Sequence, residues 1–338
     1  MNPHASIRRQ PTVTRRCMTS ASSQKENLML PEQIHGITFA PFARRGELAT
    51  DEARESLRTM KERTGANMVV FVPLGAQEHP QSQRIDYTTD ATMSDAELIN
   101  MMHFARSLGM AVGLKPTVNC TDGTWRAYIS FFDEDVVCEP KWSVWFAQYE
   151  EFQRHYAQLA QREGVDLFIP GCEMVMSEHR EQQWRQVIAA VRECYDGPVS
   201  YNTDKYQEHN VRWWDACDMI SSSGYYPIED WTRQLDRIEQ VVKRFSKPFF
   251  FAEAGCMSTA GSQHIPNSWT LEGPVDLQAQ ADWYRSLFDA MGSRDWIRGC
   301  VLWSWPPVLY SADAAASDRY YEFYNKPAEF VIREAFAH

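Results

Sequence analysis

A single (β/α)8 barrel is the fold class that this sequence predicts, and three observations point to it. Eight short runs recur that are near-continuous in apolar residues instead of alternating, the pattern of parallel strands covered on both faces. Amphipathic stretches with helix-capping residues fill most of the gaps between those runs. The 338 residues hold one barrel of roughly 250 residues or more, with no composition shift that would mark a linker. The barrel is assigned residues 31–338.

The elements follow in order. GITFA (36–40) is the first strand, and Thr50 caps a helix that runs to Gly65. NMVVFV (67–72) is the second strand. Ser94 and Glu97 of SDAE satisfy each other's end groups as a capping box, and the helix they start stops at Gly109. MAVGLK (110–115) is the third strand, and residues 142–164 form a long amphipathic helix leading to DLFIP (166–170). A helix over 178–194 precedes PVSYN (198–202), and only a short piece around 209–216 separates it from CDMIS (217–221). Helices over 229–246, 277–292 and 320–336 alternate with KPFFFAE (247–253) and GCVLWSW (299–305). A doubly wound open sheet requires a Gly-rich phosphate loop after the first strand, and GITFAPFARRG has no GxGxxG. The sequence also has no P-loop and no nucleophile elbow.

Composition narrows the function. A hydrophobic content of 44% with 23% charged residues is that of a globular enzyme, and no run approaches the roughly 20 apolar residues that span a bilayer. The net charge of −11 argues against a nucleic-acid partner, because phosphate binding wants a basic face. The eight cysteines form no CxxC pair and the nine histidines no HxH or HExxH, so neither a zinc site nor a metal-dependent barrel hydrolase is indicated, and no cofactor is implied. The cysteines read as reduced thiols of a cytoplasmic protein. Residues 1–30 stand apart, with Arg8, Arg9, Arg15, Arg16 and Lys25 ahead of the first acid and no signal-peptide core. They read as a tail, or as sequence upstream of a start at Met18 or Met29, with a transit peptide as a third reading.

Active sites of such barrels form where the strands end. The third strand ends on Lys115, with Asn119 beyond it, and the fourth leads to Glu173. The fifth ends on Asn202 with Asp204 and Lys205 following, the sixth leads to Tyr225 and Tyr226, the seventh ends on Glu253, and the eighth carries Trp303 and Trp305. Carboxylates at the ends of strands four and seven face each other across the mouth. Glycoside hydrolysis with retention needs such a pair, one as acid and then base, the other as nucleophile. Tyr225 or Tyr226 is placed to donate to the nucleophile, Trp303 to floor a sugar ring, and Lys115 to pair with either carboxylate. Gly255 lets the chain pass close beside the site. A sugar-binding barrel without activity is the reading from a different class.

The ordered set GITFAPF, GLKPTVNCTDGTWR, WFAQYEEFQRHYAQLAQ, FIPGCE, WRQVIAAVRECYDGPVSYNTD, WWDACDMISSSGYYP, KPFFFAEAGC and GCVLWSWPP resembles glycoside hydrolase family 113, the β-mannanases of clan A, over roughly residues 34–310. The resemblance implies a retaining barrel hydrolase acting on β-1,4-linked mannose units of an oligo- or polysaccharide. By position Glu173 matches the family's acid/base and Glu253 its nucleophile, while Lys115, Trp125, Tyr225 and Trp303 match its strand-end pattern. Several positions depart from the pattern. Cys172 stands where the family usually has Thr, which removes a hydroxyl, and Ala254 where it often has Ile. Thr117 and Asn119 replace a histidine and an aspartate, and Asp204 and Lys205 replace an amide and a platform aromatic. A shifted sugar preference, for a glucoside, galactoside or amino sugar, or exo-acting cleavage, follows as the alternative.

Overall fold

The computed structural model describes residues 30–337. The expectation for residues 1–30 therefore lies, Leu30 apart, outside the described residues. Ten strands form: β1 (Ile34–Phe39), β2 (Met68–Phe71), β3 (Leu74–Gln77), β4 (Ala111–Leu114), β5 (Thr117–Cys120), β6 (Leu167–Phe168), β7 (Asn202–Thr203), β8 (Ile220–Ser223), β9 (Phe249–Ala254) and β10 (Ile297–Trp305). Eight of them pair in parallel in the order β6-β4-β2-β1-β10-β9-β8-β7. Parallel bridges Phe168–Val199 and Cys172–Asn202 join the two ends of that sheet and close the (β/α)8 barrel.

The remaining pair, β3 and β5, lengthens β2 and β4 at their C-terminal ends. Pro73 and Pro116 interrupt those strands, since proline brings no N–H to the ladder. Pairing resumes at once, with Thr117 N–H donating to Pro73 O at 3.0 Å. The apolar runs stop at the prolines, so this extension was not legible from hydrophobicity.

Among the described residues, eight helices surround the sheet: α1 (Asp51–Thr64), α2 (Asp95–Ser107), α3 (Trp142–Glu163), α4 (Glu181–Arg192), α5 (Trp231–Phe245), α6 (Leu277–Gly292), α7 (Ala312–Ser317) and α8 (Pro327–Phe336). The cap residues act as expected. Thr50 Oγ1 accepts from Ala53 N–H, Gly65 ends α1 in the left-handed conformation, and Ser94 and Glu97 form the capping box of α2. One helix expectation needs correction. The last helix begins at Pro327, not at 320: proline suits the first helical turn, and the carbonyls of Tyr320, Tyr321 and Glu322 accept from Gln280 instead of from a helix. Around 209–216 there is only a 3-10 turn, Trp214–Ala216.

The core has two shells. Ile34, Met68, Val70, Ala111, Leu167, Phe250, Ala252 and Val301 fill the barrel interior. Phe249 and Phe251, one residue off, pack outward with the helices, as period-2 alternation requires. Alternation would also send Glu253 outward. It does not, because Ser222 and Ser223 of β8 pair with Phe251 and Glu253 of β9, so β9 carries one extra residue there. That bulge resets the alternation and turns Glu253 into the barrel mouth.

Candidate active site

At the C-terminal end of the barrel lies a cavity of about 210 Å3, lined among others by Trp125, Arg126, Glu173, Tyr225, Glu253 and Trp303. Both glutamates are buried, with 6% and 3% of their surface exposed. One oxygen of each lies within 4.8 Å of the other.

Glu253 is the more tightly held. Lys115 Nζ donates to Oε1, and the Cys172 thiol donates to the same oxygen at 3.2 Å. Tyr225 OH donates to Oε2 at 3.1 Å. Burial alone would raise the Glu253 pKa, but Lys115 and Arg126 outweigh it and hold the carboxyl below its ordinary range. Burial, and then the Glu253 charge, push the Tyr225 hydroxyl far above its ordinary range, so it stays a donor. Lys115 is fully buried, and its Nζ sits 5.6 Å from the Trp303 ring centroid. Trp303 packs on Phe42 with ring centroids 5.7 Å apart and lines the cavity. Gly255 has the expected close approach, but to backbone: a Cβ there would lie 2.6 Å from Trp303 O.

Glu173 is held differently. It follows a two-residue strand and has φ of 53°, a left-handed backbone that costs a non-glycine residue about 1–2 kcal/mol. Its neighbours impose that conformation: Glu173 N–H donates to Asn202 O at 2.7 Å, and Met174 N–H to Tyr201 OH at 3.2 Å. Oε2 accepts from Trp125 Nε1 at 3.1 Å and from Arg126 Nη2 at 2.9 Å, and Oε1 accepts from Ser223 Oγ at 2.7 Å.

Asn202 links the two carboxylates. Its Oδ1 accepts from Lys115 Nζ at 3.2 Å and its Nδ2 donates to Ser223 Oγ at 3.0 Å. A continuous chain thus runs Glu253–Lys115–Asn202–Ser223–Glu173. Asn119 also acts behind the cavity: its Oδ1 accepts from Arg126 Nη1 at 2.8 Å. Asp204 and Lys205 line the wall, 3.3 Å apart at their closest, with Lys205 Nζ 5.9 Å from the Trp125 ring centroid. Burial and the Glu173 charge raise the Asp204 pKa to about 7 against the pull of Lys205.

Two residues expected at the site lie elsewhere. Tyr226 follows Tyr225 and points the other way, into the core, where its OH donates to Glu208 Oε1 at 2.5 Å. Trp305 is fully buried, with Nε1 donating to Ser56 Oγ at 3.0 Å. Ile37 and Phe39 of β1 pair with Leu302 and Trp305, so β10 bulges between its two tryptophans and they leave the strand on opposite sides. Sequence reasoning missed Arg126 and Ser223. Arg126 adjoins Trp125 in a loop, where strand-end logic does not look, and Ser223 is one of three consecutive serines. It also placed the hydrogen bond of position 172 in doubt, and the thiol supplies one. Trp269, from the long segment after β9, lines the cavity and meets the Trp125 ring edge-on, with centroids 5.7 Å apart.

Cys172, Glu173 and Glu253 each offer a donor atom that a metal ion accepts. Lys115 and Arg126 already sit against those same oxygens and the sulfur, and burial raises the thiol pKa well above its ordinary value. The trio is built as a cation-neutralised hydrogen-bond cluster, not as a set of free ligands.

A parallel barrel with two buried carboxylates facing across its C-terminal mouth is the architecture of a glycoside hydrolase. Glycoside Hydrolase Family 113 matches residues 37–326, and the chain belongs to that family. Solved structures agree. A GH113 β-1,4-mannanase, solved as a complex, is 49% identical over 91% of this chain and 99% of its own, with a TM-score of 0.90. The GH113 β-mannanase AaManA from Alicyclobacillus acidocaldarius, in complex with ManMIm, is 43% identical over 90% and 97%, with a TM-score of 0.87. A β-glucuronidase from Ruminococcus gnavus, 14% identical over 91% of this chain and 50% of its own with a TM-score of 0.61, shares the fold alone. No curated protein sequence matches the chain.

Proposed function

We propose that the protein hydrolyses β-1,4-mannosidic linkages with retention, through a covalent glycosyl-enzyme on Glu253. The carboxylate pair carries this reading. Carboxylate oxygens within 4.8 Å of each other are in keeping with the roughly 5–5.5 Å separation of retaining enzymes rather than the roughly 6.5–9.5 Å of inverting ones. The solved relatives at 43% and 49% identity are β-mannanases, which supports the sugar.

In the first step Glu253 attacks the anomeric carbon while Glu173 gives its proton to the glycosidic oxygen, and the leaving sugar departs. In the second, Glu173 takes a proton from water, the water attacks the same carbon, and Glu253 leaves as carboxylate. Lys115 and Tyr225 hold Glu253 ionised and aimed. Trp303 floors the ring that is attacked, and Trp125 orients Glu173.

Glu253→Gln and Glu173→Gln each lower kcat on an aryl β-mannoside by on the order of 100-fold to 10,000-fold in a folded protein. Near wild-type turnover by either variant sinks the assignment. Azide restores part of the Glu173 variant's rate on an aryl substrate with an activated leaving group, which needs no acid. Proton NMR during hydrolysis shows the β-anomer first, whereas the α-anomer first means inversion.

A different sugar preference is the second reading, and the charged Asp204–Lys205 wall favours it. Aryl β-mannoside, glucoside, galactoside and amino-sugar substrates compared side by side decide between the two. The product pattern on mannohexaose separates mid-chain cuts from successive mannose release. Cytoplasmic residence goes with this function, since all seven described cysteines are free thiols. No helix of the described residues is long and apolar enough to cross a membrane.

A further inference from the structure

We infer that Cys172 is a positioning residue of the nucleophile: its thiol donates to Glu253 Oε1 and, with Lys115, fixes which carboxylate oxygen attacks. This rests on Glu253 being the nucleophile. The thiol is 1% exposed, lies 3.2 Å from Oε1, and is braced from behind by Arg126 Nη2, also at 3.2 Å. Oε1 therefore carries two donors, Lys115 and Cys172, while Oε2 carries only Tyr225.

An oxygen holding two donors has its lone pairs occupied, so Oε2 forms the bond to the anomeric carbon as the glycosidic C–O bond breaks and Glu173 protonates the leaving oxygen. Oε1 then becomes the ester carbonyl oxygen. When water displaces the ester, the negative charge returns to the carboxylate, where Cys172 and Lys115 stabilise it. The cysteine's weak acidity suits this role. Burial holds it as a neutral S–H that donates, where a thiolate would repel Glu253 and compete as nucleophile.

The groups facing Glu253 are Lys115, Arg126, Cys172, Glu173, Tyr225 and Tyr321. Cys172 can be exchanged for side chains of similar size with and without a donor, leaving the buried charges in place. Cys172→Ala and Cys172→Val remove the donor, the second while keeping the volume filled. Cys172→Ser and Cys172→Thr retain one.

Without the donor Glu253 becomes more basic and a poorer leaving group. The acid limb of kcat/KM then moves up by about half to one pH unit, and kcat on 2,4-dinitrophenyl β-mannoside falls roughly fivefold to tenfold. KM falls with it as the glycosyl-enzyme accumulates. The Ser and Thr variants return the acid limb to the wild-type position. An unmoved limb in both Ala and Val, or a Ser variant that shifts as Ala does, overturns the inference. Labelling with 2-deoxy-2-fluoro-mannosyl fluoride and peptide mass analysis separates the two readings. A label away from Glu253 overturns the nucleophile assignment. A label on Glu253 with an unmoved limb overturns the role of Cys172 alone. If Ala fails to fold, Val against Thr makes the same comparison at nearly constant volume.

Discussion

The two carboxylates of the mouth are built by opposite means. Glu253 lies within a six-residue strand, one residue from its end, and its donors Lys115, Cys172 and Tyr225 follow the ends of β4, β6 and β8. Glu173 sits past a two-residue strand in a left-handed backbone, and two of its three side-chain donors, Trp125 and Arg126, come from the start of a short 3-10 turn after β5. In the proposed reaction Glu253 has to stay ionised, and the buried Lys115 against it supplies that. In the same proposal Glu173 gives up and takes a proton in each cycle. A corner built on strands is also easier to read from sequence than one built on loops.

Removing one cation from each side tests the difference most directly. Lys115→Met leaves Glu253 buried without its closest countercharge, which lowers stability by about 3–5 kcal/mol in urea titration. The same change lowers kcat by on the order of 1,000-fold. Arg126→Met gives a smaller loss, because Trp125 and Ser223 still hold Glu173. A greater loss from Arg126 than from Lys115 means that the Glu253 corner is not the more tightly held one.

Tyr225→Phe removes one donor from Oε2 and lowers kcat/KM roughly tenfold to 100-fold, with the acid limb moving up. Ser223→Ala cuts the chain between the two carboxylates. It lowers kcat/KM by about fivefold to tenfold, acting on natural substrates and much less on aryl substrates that need no acid. Equal losses on both substrate types mean that Ser223 does not act through Glu173.

The smallest change is read in stability. Glu178 accepts from Tyr201 OH at 2.9 Å and Thr203 Oγ1 at 2.6 Å, and Tyr201 in turn holds Met174 beside Glu173. Burial raises the Glu178 pKa to about 8 from an ordinary 4.5, so the folded protein keeps a proton that the unfolded chain releases. Stability from this group is full below about pH 4.5, falls as pH rises, and levels off above about 8. Glu178→Gln stays neutral throughout. Urea titrations between pH 5 and 8.5 show a flatter decline for the variant, and an unchanged slope removes Glu178 as the buried acid.

Much of this was legible in the chain before folding. Caps such as Thr50, Gly65 and the Ser94–Glu97 box act through neighbours a few residues away, so they hold wherever the helix ends up. Lys115, Glu173, Tyr225, Glu253 and Trp303 could be singled out because a barrel gathers its strand ends, and the structure brings them together at one cavity. Arg126 and Ser223 escaped because their roles depend on a loop folding back and on which of three serines faces inward. Tyr226 and Trp305 were placed at the site by proximity in sequence, and side-chain direction sent both into the core.

The amino-acid sequence by itself determined the fold class, the helix caps and the presence of a carboxylate at the end of each of two strands, because these rest on local periodicity and on contacts a few residues apart. Tertiary structure decided where those carboxylates point. One extra residue in β9 against β8 turns Glu253 from the helix layer into the cavity, and one extra residue in β10 against β1 keeps Trp303 in the mouth while sending Trp305 away. A bulge is a mismatch between two strands distant in sequence, so it exists only once both are paired.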